Sequence, residues 1–108
     1  MSKLKSAILR FPVSGSPDVV NYKLYVEADP DPVTYDSPSF NLGNDPVDGY
    51  IETDLSEVDG VSTMDGIYNL GVTAVDDAGN ESSMSKMDSV PLDFLAPDPP
   101  GPLSLISG

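Results

Sequence analysis

The stretch Ile67-Tyr-Asn-Leu-Gly-Val-Thr-Ala-Val75, followed at once by Asp76-Asp-Ala-Gly-Asn80, decides how this chain folds. Apolar and aromatic residues recur at every second position, so Tyr68, Leu70, Val72 and Ala74 share one face of an extended segment. The Asp-, Gly- and Asn-rich residues that follow make a turn, in which Gly79 or Asn80 is able to take positive φ. The reading is a strand that stops in a tight reversal.

The same alternation appears on both sides of this segment. Downstream, residues 87–94 form a last strand with Val90, Leu92 and Phe94 in register, and Pro91 on the opposite face marks an edge or a bulge. Upstream, residues 50–55 place Ile51, Thr53 and Leu55 together. Residues 20–27 put Tyr22, Leu24 and Val26 on one face and Asn21, Lys23 and Tyr25 on the other. Ala7, Leu9 and Phe11 alternate in the first segment. Residues 33–35 and 39–42 are expected as short edge strands, with Pro38 suited to an edge because it has no ladder N–H. Turns are expected at residues 14–18, 43–46 and 48–49. With 11 prolines and 9 glycines spread through the chain, little room is left for a helix. The expectation is one all-β domain, a two-sheet sandwich of about seven strands over residues 1–96, with a stiff Pro-rich C-terminal arm over residues 97–108. Its core is expected from Leu9, Phe11, Tyr22, Leu24, Val26, Tyr68, Leu70, Val72 and Ala74.

Composition narrows the chemistry. The 108 residues carry 5 basic and 18 acidic side chains, a formal charge of -13. A field of that sign repels phosphate backbones, so no nucleic-acid partner is expected. Acidic chains can be disordered, but 39% hydrophobic content in alternating segments argues for a folded core. There is no cysteine and no histidine, which removes thiol chemistry, the commonest general base and the commonest transition-metal ligands. No Gly-x-Ser-x-Gly elbow or Gly-rich phosphate loop occurs, and paired carboxylates in solvated loops do not by themselves make a glycosidase. The expectation is no enzyme and no cofactor. The apolar run Ala7-Ile8-Leu9 stops at Arg10, too short for a leader core or a membrane span. With Met1 as the native start, the chain is expected to be made in the cytoplasm.

These residues resemble the fibronectin type III domain. In that family an aromatic residue in the second strand is followed about eleven residues later by a Tyr opening the third, the places held here by Phe11 and Tyr22. The family's sixth strand is similar to Tyr68-Asn-Leu-Gly-Val72-Thr-Ala74-Val75-Asp76, and bacterial and phage versions continue much as Gly79-Asn80-Glu-Ser82 does. The resemblance covers about residues 6–96. It implies an immunoglobulin-like sandwich in which Tyr68 is a tyrosine-corner residue bonded to nearby backbone. It departs from the family in having Phe11 for the usual Trp and in lacking a first strand. The stretch that often opens that first strand is similar to Pro97-Asp-Pro99-Pro100-Gly-Pro102-Leu103-Ser-Leu105, here displaced to the far end.

Two readings of the displaced stretch stand. It is a linker stub, or residues 103–106 add as a strand to a sheet edge of a neighbouring copy, another protein or its own body. The second reading names Pro99, Pro100, Leu103, Leu105 and Ile106 as protein-binding residues.

Other clusters carry two readings as well. Asp76, Asp77, Asn80 and Glu81, with Asp29, Asp31 and Asp36 in another loop, are weak calcium candidates, or they cap backbone groups in ordinary turns. Tyr25, Tyr35, Phe40 and Tyr50 are interface anchors or sheet packing.

The resemblance implies a non-enzymatic structural module that binds other proteins. Phage virion parts (capsid decoration, head–tail adaptor or tail components) are the expected setting, with copies of itself or a capsid or tail lattice as partners, and homo-oligomers in assembly. The alternative is a bacterial adhesion or filament module at the cell surface, joined by strand exchange.

Overall fold

In the computed structural model, which describes residues 7–94 and 100–106, the deciding stretch lies inside the longest strand. Six strands follow in order: β1 Ile8–Pro12, β2 Val19–Ala28, β3 Ser39–Gly43, β4 Tyr50–Asp54, β5 Asp65–Asp76 and β6 Ser85–Asp93. A short 3-10 turn, Leu55–Glu57, follows β4. All pairings are antiparallel. One sheet has two strands, β1-β4, and the other has four, in the order β3-β2-β5-β6. The chain is all-β and sandwich-like.

The core forms where the alternating faces meet. Leu24 and Val26 of β2, Leu70 of β5, and Leu92 of β6 cluster with Leu55, Val61 and Phe94, and Leu9 and Tyr68 pack against them. Each fully buried side chain of this kind stabilises the fold by about 1.5–3 kcal/mol. Phe11 of β1 meets Tyr22 of β2 edge to face, with ring centroids 5.2 Å apart. The buried Tyr22 hydroxyl accepts a hydrogen bond from the Ser14 N–H at 2.8 Å.

Of the nine expected core residues, Tyr22, Leu24, Val26 and Leu70 are buried, whereas Leu9, Phe11, Tyr68, Val72 and Ala74 are only half-buried. The reason is geometric, because a two-stranded sheet cannot cover a four-stranded one. Leu55, Val61, Leu92 and Phe94 complete the core from the 3-10 turn, the following loop and β6.

Local chemistry explains the breaks. Asp48 and Gly49, both at positive φ (55° and 82°), form the two-residue reversal between Val47 and Tyr50, which bond to each other in both directions. The Asp54 carboxylate caps the 3-10 turn, accepting from the Ser56 N–H at 3.0 Å and hydroxyl at 2.6 Å. These bonds, the hydroxyl's first, hold its pKa below the usual carboxylate value. β3 and β6 are the edges of the larger sheet, so Pro38 precedes an edge strand and Pro91 sits in one, as expected.

Three expectations are corrected. Residues 33–35 form no strand; they lead into a turn, closed by the Ser37 N–H on the Thr34 carbonyl at 3.0 Å, and Val33 is buried beneath it. The strand expected over residues 50–55 ends at Asp54, because Leu55 enters the 3-10 turn. Tyr68 is no tyrosine corner among the described residues. Its ring lies near Gly66, and no hydrogen bond joins its hydroxyl to a described residue. The boundary expected between residues 96 and 97, and Pro99 with it, lies outside the described residues.

Candidate functional site

The two broad faces of the larger sheet end up in different states, and the site follows from that. The face away from the core carries Lys23 and Tyr25 on β2 and Asn69, Gly71 and Thr73 on β5. Sequence alternation assigns such a face to solvent. Instead, Tyr25, Asn69 and Thr73 are buried, because the loops after β2 and β5 fold across them.

Glu81 is the centre of this cover. Its carboxylate accepts hydrogen bonds from the Tyr25 hydroxyl and, at 2.7 Å, from the Thr73 hydroxyl, with the Lys23 ammonium 3.9 Å away. The donated hydrogen bonds, Tyr25's first, hold the Glu81 pKa below its ordinary value. Burial, then the bond to Glu81, pushes the Tyr25 hydroxyl up to about 12. Tyr35 stacks edge to face on Tyr25 at 5.8 Å and donates its hydroxyl to the Ser82 carbonyl at 2.9 Å. Asn69 lies opposite an irregularity in β6 where Ser89 takes positive φ (57°). Its amide donates to the Asp31 carbonyl at 2.8 Å and accepts from the Ser89 N–H at 2.9 Å. A Cβ on the buried Gly71 would lie 2.2 Å from Met84 Sδ, so Met84 packs where a larger residue would stand.

The calcium candidates are not brought to one point. The Asp76 carboxylate is engaged within its own turn by the Asn80 N–H, the Asn80 side-chain amide and the Ala78 N–H, which in that order hold its pKa below the usual carboxylate value. Glu81 turns away to Tyr25 and Thr73. Asp77, Asp29, Asp31 and Asp36 are exposed. Among the described residues no group of three or more acidic side chains is placed to hold a metal ion. Turn capping accounts for Asp76 and Asn80, and the hydroxyl pair accounts for Glu81. Of the aromatics expected on exposed faces, Tyr25 is buried and Phe40 packs against the core. Tyr50 lies under the Arg10 guanidinium, 3.8 Å from its centroid. Packing accounts for Tyr25 and Phe40, whereas Tyr35 and Tyr50 keep exposed rings.

The core-facing side remains open at one flank. A groove of about 410 Å³ runs between β1, the second half of β5 and the start of β6, lined by Leu9, Phe11, Val13, Val72, Ala74 and Met87 with serines of the loop before β6 at its rim. Two of the chain's five basic residues, Arg10 and Lys86, also line it. Arg10 pairs with Glu52 at 3.2 Å.

Beside the groove lies a strand edge that no described residue pairs. The Leu55 N–H bonds the Ala7 carbonyl at 2.9 Å and the Val13 N–H bonds the Gly49 carbonyl at 3.0 Å, so β1 bonds β4 through its odd-numbered residues. The N–H and C=O of Ile8 and Arg10 and the C=O of Pro12 therefore point to the other side, where no described residue pairs with them. Residues 100–106 form no strand and bond to no described residue, and Leu103, Leu105 and Ile106 are 94%, 95% and 85% exposed. The sequence pointed to a missing first strand and a displaced arm, but the groove itself needed the depth of the two-stranded sheet to be seen.

No family model, curated protein or solved structure matches this chain.

Proposed function

We propose that this chain is a fibronectin type III-like module that works by binding other proteins in a structural assembly and performs no catalysis. The observation that carries this reading is the strand order. Sheets β1-β4 and β3-β2-β5-β6, with the Phe11–Tyr22 contact bridging them, fit that sandwich with its opening strand left out. A strand edge that no described residue pairs, beside a groove lined largely by apolar side chains, then offers backbone and side-chain partners to another chain. The residues most engaged in hydrogen bonding, Tyr25, Asn69, Thr73 and Glu81, are occupied in closing the outer face.

The setting that fits best is a phage virion, with the module docked on a repeated capsid or tail lattice. The net charge of -13 would keep many copies soluble before assembly. Quantitative mass spectrometry of purified particles from the producing host tests this. The protein is expected at a fixed ratio to the lattice protein, and its absence from particles would overturn the virion setting. The exposed apolar arm favours a second setting, a surface adhesion or filament module joined by strand exchange. Recovery of the protein in cell-surface fibres, and not in particles, would select it.

A further inference from the structure

Resting on the protein-binding reading above, we propose that the open edge of β1 is an acceptor, and that residues 102–106 of a second copy are the strand it accepts. The two parts match in length. β1 has five residues, and residues 102–106 number five, about 17 Å of extended chain in each. They match in pattern, because Leu103 and Leu105 fall on one face of an extended segment and would enter the groove beside Leu9 and Phe11. Charge does not oppose the contact, because residues 99–108 carry no charged side chain and a body of net charge -13 does not repel them.

Topology favours a second copy over the same one. β1 begins beside Leu55, which bonds Ala7, and Phe94 packs in the same cluster as Leu55 with Ala7 against it. The chain therefore leaves β6 at the end where β1 starts. The opposite end of the groove is formed by Val13 and Ser14 with Ser85 and Lys86. An arm turning back along β1 from its own end would pair parallel to it, the less stable ladder, whereas the antiparallel ladder needs an arm that enters from the other end, which a following copy presents. Repetition of that contact is head-to-tail and does not close on itself in a dimer, so it builds chains of copies. Pro12 and the short edge, with only the Ile8 and Arg10 N–H groups to satisfy, limit what else pairs there.

The test uses the full chain. Sedimentation velocity over roughly the micromolar-to-millimolar range of small interfaces should show the mass rising to multiples of one chain. Leu103→Asp/Leu105→Asp removes the donated strand's apolar face, and Arg10→Pro removes a hydrogen-bond-donating N–H from the accepting edge, with Arg10→Ala as the control for loss of the side chain's contacts to Glu52 and Tyr50. The donor-dead and Arg10→Pro chains should each stay monomeric alone, while an equimolar mixture of the two should form one-to-one dimers and stop there, because the intact arm of the Arg10→Pro copy meets the intact edge of the donor-dead copy; a mixture that stays monomeric overturns the proposal. A synthetic peptide of residues 99–108, added to the donor-dead chain, should shift the NMR amide signals of Ile8, Arg10, Lys86 and Met87. The donor variant changes only exposed side chains, so loss of assembly in it is not loss of fold. A wild-type chain that stays monomeric throughout, or a peptide that leaves those amides unmoved, overturns the proposal. A monomer whose Ile8 and Arg10 amides are protected from exchange until residues 97–108 are deleted also overturns it, in favour of pairing within one chain. In either case a fixed ratio to another protein in purified particles would leave the protein-binding reading standing, and absence of both would remove it too.

Discussion

The outer face of the larger sheet and the flank beside β1 are made from the same two strands, yet one is sealed and the other is open. Where β2 and β5 face outward, polar side chains meet in hydrogen-bonded pairs, Tyr25 and Thr73 on Glu81, Asn69 on Asp31 and Ser89. Where they face inward near β1, apolar side chains such as Val72 remain half-covered because the opposing sheet stops at two strands. Polar cover from loops is stable without a second sheet, since each buried donor finds an acceptor. Apolar cover needs another strand, and the described residues do not supply it.

The largest test of this contrast compares core positions. Leu24 is fully buried, and Leu24→Ala should cost about 3 kcal/mol, lowering Tm by roughly 12–24 °C in a thermal melt. Phe11→Ala, beside the groove, removes a larger side chain yet should cost less than the usual 3–5 kcal/mol for a buried Phe, because water already reaches one side. Equal losses at the two sites would mean that the flank is closed in solution.

Asn69 comes next. Asn69→Ala leaves the Ser89 N–H and the Asp31 carbonyl without their partner and should cost about 2 kcal/mol in urea unfolding. Asn69→Asp should recover part of the loss, since it retains an acceptor for Ser89 but no donor for Asp31.

The strands were legible because alternation is a local signal that burial of one face imposes. Tyr22, Leu24, Val26 and Leu70 read correctly for that reason. The sealed outer face was not legible. Asn69 and Thr73 look like solvent-facing polar residues, and only the path of the loops after β2 and β5 makes them interior. Glu81 reads as an oxygen ligand in a turn, but its partners Tyr25 and Thr73 lie 56 and 8 residues away, across the sheet. Val33 shows the same limit from the other side, since a residue that reads as strand is buried by a turn.

Tyr25→Phe is a smaller test of the sealed face. The hydroxyl bonds a carboxylate, so its loss should cost about 1.5 kcal/mol near neutral pH. The pH profile gives its signature. Tyr25 is raised from 10 to about 12 in the fold, so its contribution is complete below pH 10 and is lost as pH rises from 10 towards 12. Glu81 is lowered from 4.5, so its contribution is present above that value and is lost as pH falls through the lower folded value. Tyr25→Phe should therefore flatten stability between pH 10 and 12 and reduce the acid-side loss. A wild-type alkaline slope in the variant would mean that another group carries it.

The smallest expected effect is at the arm, and its smallness is informative. Leu103 is 94% exposed and bonds to no described residue, so Leu103→Asp should change the unfolding free energy of the monomer by less than about 0.5 kcal/mol. Leu103, Leu105 and Ile106 are the most exposed of the chain's large apolar residues among those described, and an apolar stretch of this kind is a recognised interaction surface. Stability and assembly should therefore separate at this residue. Melts made at low concentration should be unchanged by Leu103→Asp, while the concentration dependence of Tm in the wild type, which linked association produces, should vanish in the variant. A drop in monomer stability would instead place Leu103 against its own body and make the open flank of β1 a feature that the same chain closes.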